Sequence, residues 1–463
     1  MSKQSKRLHF IAIGGAAMHN LALALANKGF SITGSDDEIN EPSFSRLKSA
    51  GILPEVMGWF PEKIEDNLDG VILGMHARAD NPELIAAKEK GIPVYSYPEY
   101  LYEHSKNKKR IVIGGSHGKT TITAMILHVL KKLNFDFDYM VGAKLDGFET
   151  MVKISDAPLI ILEGDEYLSS PVDRRPKFHL YKADIGLISG IAWDHINVFP
   201  TFENYVDQFR IFANEIPKEG TLIYCENDLE VKNVAISSNV KARKISYSIP
   251  KHSIVDGITT IQTEIGNFSL EIFGDHNLQN LEGARNVCEE IGISKKDFYH
   301  SITSFNGAAR RLELLGKNDS IAIYKDFAHS PSKLKATSKA VKTQFPQRKL
   351  ISCMELHTFS SLNEDFLNQY SGSMDDADVK IIYYNPHTIA HKKLKDISPE
   401  MVRKAFSNDS IKVYTDSSVL RNDLLQLAVG KSVLLMMSSG TFDGIDLNLL
   451  TNELIQSTEK VNL

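Results

Sequence analysis

The sequence predicts an α/β protein built from three successive units, each alternating short apolar strands with helices. Three observations predict it. At 463 residues the chain is longer than one ordinary core organises, so two or three domains are expected. Apolar runs of four to six residues recur along its length and end in glycine, small or polar residues, the pattern of strands that alternate with helices. Two of these runs feed glycine turns that open into helical periodicity, at 14–18 and at 114–118.

The first unit opens with a strand at 8–13, a turn at Gly14-Gly15-Ala16-Ala17-Met18 and a helix at 21–28. A second strand at 31–33 ends in Gly34-Ser35-Asp36, an acidic residue roughly 20 positions after the glycines, where a ribose-binding carboxylate belongs. Ala17 stands where a third glycine is usual, so the turn is either nucleotide-binding or structural. Further strands are expected at 70–74 and 92–96. The charged run 104–109 then marks a boundary, giving a first domain at 1–107.

The second unit is organised around Arg110-Ile-Val-Ile-Gly-Gly-Ser-His-Gly-Lys-Thr-Thr121. Strand, glycine loop, Lys-Thr and helix wrap backbone N–H groups and a helix N-terminus around phosphates. Lys119 is expected on the β/γ-phosphates and Thr120 on Mg²⁺. The spacing is the shorter G-x-x-G-K-T, from Gly115 to Thr120; the alternative is a tight strand-to-helix turn with a chance lysine. Strands at 159–162 and 185–189 deliver Glu163-Gly164-Asp165-Glu166 and Asp194-His195 beyond their carboxyl ends, where ligands sit in open sheets. His195 is read either as part of a metal and phosphate site or as a surface imidazole after a helix cap. Between them, 170–181 is a basic loop, either a solvated turn or a contact for substrate carboxylates. A polar helix start at 274–280 precedes Arg310-Arg311 and closes the second domain, 108–317. The third, 318–463, alternates strands at 321–324, 349–353, 379–383, 411–414 and 432–437 with helices.

Composition narrows the class. Hydrophobic residues make up 42% and charged residues 24%, as in water-soluble globular proteins. A net charge of −5 gives no reason to expect nucleic acid or an anionic membrane surface as partner. Three scattered cysteines without metal-site spacing suit a reducing compartment, and the N-terminus lacks signal-peptide character. No apolar run reaches the length of a membrane span, so a cytoplasmic protein is expected.

Taken together and in order, the glycine turn with GSD, then GGSHGKTT, EGDEY, WDH, GDHNLQN, ARRLE, KDFAHSP and SSGTF resemble the Mur ligases, the ATP-dependent amide-forming enzymes of peptidoglycan synthesis. The resemblance spans essentially the whole chain. It implies an N-terminal Rossmann-like domain for a UDP-sugar, a central P-loop ATP-binding domain and a C-terminal Rossmann-like domain. It also implies activation of a carboxylate as an acyl phosphate, then displacement of phosphate by an amine. Such chemistry asks the protein for positioning and charge stabilisation. Carried over residue by residue, Gly115, Ser116, His117, Gly118, Lys119, Thr120 and Thr121 would hold the ATP phosphates. Thr120 and Glu163 would hold Mg²⁺, with His195 at a second Mg²⁺. Asn277, Asn280, Arg311 and Asp326 would contact the nucleotide, and Asp326 with His329 would complete the site. Gly14, Gly15, Ala16, Ala17, Met18, Ser35 and Asp36 would line the UDP-sugar. Lys325, Ser330 and Ala17 depart from the family pattern.

The helix at 203–212 lacks the lysine that later-acting members carbamoylate, which resembles the branch using the carboxylate of UDP-N-acetylmuramate itself. Within that branch, EGDEYLSSPVDRRPKF is similar to members that re-attach L-Ala-γ-D-Glu-meso-diaminopimelate during recycling. Arg174, Arg175 and Lys177 would then meet acceptor carboxylates. The alternatives are L-alanine as acceptor, a related amide ligase such as folylpolyglutamate synthase, and a nucleotide-binding regulatory protein that has lost ligation. The expected assembly is a monomer or weak homo-oligomer.

Overall fold

The computed structural model describes residues 5–75, 77–193, 198–237, 239–255, 257–308, 312–407, 410–427 and 430–460. They divide into two compact units, one of 1–249 with 279–302, the other of 250–278 with 303–463.

The first unit holds two sheets. The smaller is wholly parallel in the order Ser31–Ser35, Arg7–Ile11, Gly70–Leu73, Val94–Ser96. Its apolar residues Ile11, Val71 and Leu73 are fully or almost fully buried, together with Leu84 of the helix Pro82–Glu89. The first helix begins at Ala16, five residues earlier than the sequence pattern indicates, so Ala16 to Met18 form its first turn. The run Ala-Ala-Met-His-Asn is compatible with helix throughout, and the absence of polar caps hid its start. The larger sheet runs Arg243–Tyr247, Thr221–Cys225, Ile185–Ile188, Lys109–Gly114, Leu159–Glu163, Asp138–Met140, Val152–Lys153. Only its last strand is antiparallel. Ile111, Val112, Ile113, Ile160, Ile161 and Leu162 are all fully buried, as expected of parallel strands covered on both faces. This is why they read as continuous apolar runs.

At the edge of that sheet Asp138 is fully buried and accepts from Lys108 (2.5 Å) and the Ser155 hydroxyl (2.6 Å). Burial alone would raise its pKa, yet His104, Lys108 and Ser155 hold it down at about 2, against a usual 3.8. A depressed carboxylate pKa contributes stability that is complete above 3.8 and is lost as pH falls toward 2. Asp138→Asn is therefore expected to melt at a lower temperature at pH 7, with the deficit shrinking as pH falls through that window. A deficit independent of pH would assign the loss to packing instead.

The second unit also holds two sheets. A six-stranded sheet runs Glu313–Lys317, Ile321–Asp326, Ser432–Met437, Lys349–Glu355, Val379–Tyr383, Lys412–Tyr414, parallel except for its first strand. Apolar clusters cover its two faces, one around Leu334, Met354 and Leu435, the other around Ile323, Ile351 and Leu434. All five strands expected from 321 onward are present. The other sheet is an antiparallel meander, His252–Val255, Ile258–Thr263 and Gly266–Leu270, which the sequence reading did not identify. Val255 and Ile258 in its strands and Ile265 in the turn between the last two are exposed, so the usual inward alternation is blurred.

Candidate active site

The site begins where the strand Lys109–Gly114 ends. Gly115 takes φ = 133° and Gly118 φ = 80°, both at positive φ, which residues with a Cβ rarely adopt. A Cβ at Gly115 would stand 2.1 Å from Ser189 Oγ, and one at Gly118 would stand 2.5 Å from Asn280 Oδ1. The loop therefore lies directly against the carboxyl end of the strand Ile185–Ile188 and against Asn280. It is fastened there by Ser189 N–H to Gly114 O (3.0 Å), Ser116 N–H to Gly190 O (2.9 Å) and Ala192 N–H to Ser116 Oγ (2.8 Å). Gly118 is the N-cap of the helix Lys119–Lys132, whose side-chain capping bond is missing. The helix thus begins with backbone donors facing the loop, an anion-binding arrangement.

Lys119 Nζ donates to Gly115 O (2.6 Å) and to Glu166 Oε2 (2.7 Å). Glu166 is almost fully buried, and its other oxygen accepts from the buried Tyr205 hydroxyl at 2.9 Å. Burial pulls the Lys119 pKa down, but the Glu166, Asp165 and Glu163 carboxylates outweigh it and leave it above its usual value. Lys119 is held cationic. The Thr120 hydroxyl donates to Glu163 Oε1 (2.8 Å), and Gly142 N–H donates to Glu163 Oε2 (2.8 Å). Burial pushes the Glu163 pKa up despite those bonds and the nearby lysine. A hydroxyl and a carboxylate in contact are hard oxygen donors of the kind Mg²⁺ takes alongside water and phosphate. Among the described residues no group of three or more His, Cys, Asp or Glu is placed to hold a metal ion by itself.

The other expected residues fall as follows. His117 lies against Gly190, where a Cβ would stand 2.2 Å from its ring, and Thr121 is buried. Asn280 joins the phosphate loop; Asn277, in the other unit, is buried and donates to Phe273 O at 3.0 Å. Asp194, His195, Arg310 and Arg311 lie outside the described residues. Asp326 is buried with its two oxygens accepting from Leu312 N–H and Ala328 N–H, each at 2.7 Å. His329 contacts Phe327 O through Nδ1 at 2.8 Å. Asp326 is the last residue of the strand Ile321–Asp326 and His329 follows three residues later, at the carboxyl end of that strand.

At the first glycine turn, Gly14 N–H donates to Asp36 Oδ2 at 2.6 Å, so turn and carboxylate are in direct contact. Ala16 and Ala17 are exposed, Met18 and Ser35 buried. Burial raises the Asp36 pKa to about 6, the backbone donors of Gly14 and Asp37 offsetting only part of it. In the basic loop, Arg175 is paired with Asp173 (2.5 Å) and Lys177 with Asp165 (2.6 Å). Arg174 is exposed, makes no ion pair among the described residues, and borders a depression of about 510 Å³ together with His179, Lys182, Gln208 and Glu215. Sequence reasoning missed Glu166 as the partner of Lys119 and Tyr205 as the second partner of Glu166. Glu166 lay in view within EGDEY, but Tyr205 is 39 residues away and nothing local joins them.

A glycine loop, a helix-opening Lys-Thr and a buried glutamate, set at the ends of parallel strands, define a phosphate-binding α/β enzyme. Three family descriptions match in succession: "Mur ligase family, catalytic domain" over 7–109, "Mur ligase middle domain" over 113–288, and "Mur ligase, glutamate ligase domain" over 310–440. The UDP-N-acetylmuramate–L-alanine ligase of Alkaliphilus metalliredigens is 34% identical over 386 residues, covering 79% of this chain and 81% of its own. The murein peptide ligase of Psychrobacter arcticus is similar in structure with a TM-score of 0.61 at 22% identity, covering 97% and 99% of the two chains. The UDP-N-acetylmuramate–alanine ligase of Thermotoga maritima gives 0.69 at 18%, covering 98% and 99%. The chain belongs to the Mur ligase family. It is an ATP-dependent amide-bond ligase of peptidoglycan synthesis with the three-domain α/β fold of that family. None of its described helices is long and apolar enough to cross a membrane.

Proposed function

We propose that this ligase joins the carboxylate of UDP-N-acetylmuramate to the amine of L-Ala-γ-D-Glu-meso-diaminopimelate, with ATP as the source of activation. The observation that carries the reading is Arg174. An exposed guanidinium outside any recorded ion pair, at the rim of a depression of about 510 Å³, suits a carboxylate-bearing peptide better than a single small amino acid. The pairing of Arg175 with Asp173 and of Lys177 with Asp165 gives those two cations the role of shaping the loop.

In this reading the UDP-sugar binds residues 1–107, ATP binds 108–317, and 318–463 closes the site. Gly14 to Met18 hold the diphosphate, and Ser35 and Asp36 the nucleoside end. The Gly115–Thr121 loop cradles the ATP phosphates while Lys119 exchanges Glu166 for the β/γ-phosphates. Thr120 and Glu163 would hold one Mg²⁺ and His195 a second, and the ions would supply charge neutralisation on the phosphates. Arg311, Asn277, Asn280, Asp326 and His329 complete the nucleotide contacts. The substrate carboxylate attacks the γ-phosphate, and the acceptor amine then displaces phosphate from the acyl phosphate, the protein's part being orientation and charge stabilisation.

L-Alanine as acceptor is the second reading. Its support is the name of the curated relatives, UDP-N-acetylmuramate–L-alanine ligases such as those of Clostridium kluyveri and Alkaliphilus metalliredigens. Phosphate release is measured with ATP, Mg²⁺ and UDP-N-acetylmuramate, supplying either the tripeptide or L-alanine. Release with the tripeptide alone is the expected result. Release with L-alanine alone overturns it and returns the basic loop to a structural role.

A further inference from the structure

Beside the first glycine turn lies a cluster to which neither the family pattern nor the proposed substrate contacts assign a function. His19 and Asn20 occupy the first turns of the helix Ala16–Asn27 and are buried, with relative exposures of 2% and 0%. His19 Nδ1 lies 3.0 Å from Gly15 O, and also 3.0 Å from Ser43 Oγ. Its Nε2 lies 3.1 Å from Arg46 NH1, which also donates to Asn20 Oδ1 at 3.1 Å. Asn20 is itself fixed by donating to Ala16 O (2.8 Å) and accepting from Met151 N–H (3.1 Å).

The chemistry of the partners is informative. A guanidinium cannot accept, so His19 Nε2 must, which fixes the neutral imidazole with its proton on Nδ1 facing Gly15 O. Burial, with the Arg46 charge adding to it, lowers the His19 pKa and favours that same neutral form. Arg46 is thus oriented through one nitrogen by two neutral acceptors and makes no ion pair with a carboxylate among the described residues. Among the described residues no hydrogen bond or ion pair engages the rest of its fork. It stands one side chain away from the turn whose exposed Ala16 and Ala17 open the helix. The planar fork of a guanidinium matches the oxygens of a phosphate or carboxylate.

We propose that Arg46, aimed by His19 and Asn20, is a substrate-binding residue that takes an anionic group of the UDP-sugar. This rests on the UDP-sugar reading of the turn. Two groups of that substrate have the required chemistry, the diphosphate and the lactyl carboxylate of the muramic acid. The diphosphate is the assignment made here, because the cluster is bonded to Gly15 O and Ala16 O in the turn itself.

The test is titration calorimetry of the full chain with UDP, UDP-N-acetylglucosamine and UDP-N-acetylmuramate, for the unaltered protein and for Arg46→Gln and Arg46→Lys. Loss of one charge-assisted bond corresponds to about tenfold in affinity. Arg46→Gln is expected to weaken all three ligands by about that factor, with Arg46→Lys intermediate because it keeps charge without the fork. ATP affinity and melting temperature should stay unchanged, which a merely structural loss would not allow. Weakening confined to UDP-N-acetylmuramate would overturn the diphosphate assignment in favour of the carboxylate. Equal affinity of variant and unaltered protein for all three would remove Arg46 from the site. Failure of the unaltered protein to bind any UDP ligand would instead bring down the UDP-sugar reading, and this assignment with it.

Discussion

Lys119→Ala is expected to lower ATP-dependent phosphate release by about 10³-fold or more, the scale of removing a group aimed at charge that develops in the transition state. The lysine's cationic form is secured by three carboxylates, and its ammonium already lies at the loop, bonded to Gly115 O. Removing it also leaves Glu166 buried with one fewer partner, so part of the loss could arise from a displaced loop. Lys119→Met separates the two effects, since it keeps the stem's volume without the charge. If both variants lose turnover alike while melting close to the unaltered protein, the effect lies in the chemistry. UDP-N-acetylmuramate affinity should change by less than about twofold, as expected for an independent site. Equal loss of sugar-nucleotide binding would show that the two sites are not separate.

The glycine loop was legible in the sequence because its physics is local. A strand, small residues and Lys-Thr opening a helix occupy consecutive positions, and each is needed where it stands. Many of the parallel strands were legible for a related reason, since burial on both faces turns Leu159–Glu163 or Ser432–Met437 into an unbroken apolar run, whereas Asp138–Met140, Thr221–Cys225 and Arg243–Tyr247 were not identified. The start of the first helix was not legible, because Ala16 and Ala17 are as acceptable in a turn as in a helix and no cap marks the change. The meander at 252–270 was hidden by its exposed Val255, Ile258 and Ile265, which break the alternation that identifies a half-buried strand.

The site divides along the same line. Thr120 meeting Glu163 follows from two adjacent parallel strands delivering their carboxyl ends to one edge. Glu166 meeting both Lys119 and Tyr205 depends on how the helix Phe202–Glu215 packs, which no short motif encodes. The basic loop shows the opposite failure. Its composition suggested three available cations, but Asp173 and Asp165 engage two of them, leaving Arg174 as the one without a recorded ion pair. Composition counts charges, whereas pairing decides which of them can meet a ligand.

Gly115→Ala is expected to be the most damaging small substitution in the phosphate loop, because two separate costs fall on one methyl group. At φ = 133° the backbone occupies a region that residues with a Cβ enter at about 1–3 kcal/mol. The methyl would also stand 2.1 Å from Ser189 Oγ, 3.0 Å from Ser189 N and 3.1 Å from Gly190 N. The hydroxyl can rotate away, but the two backbone nitrogens belong to the segment that fastens the loop to the sheet. Together these give a loss of about 3 kcal/mol or more, a fall in melting temperature of roughly 5–10 °C, and loss of ATP binding as the loop leaves the sheet. Gly29→Ala supplies the comparison, since Gly29 has φ = 90° with nothing within 4 Å of its missing Cβ. It should show backbone strain alone, about 1 kcal/mol, with ATP binding intact. Adding Ser189→Gly to Gly115→Ala removes the hydroxyl but neither backbone nitrogen, so only partial recovery is expected. Full recovery would mean that Ser189 Oγ alone is the obstacle and that the loop tolerates an alanine backbone at that φ. No loss of ATP affinity in Gly115→Ala itself would show that the nucleotide does not depend on this loop, against its assignment as the phosphate cradle.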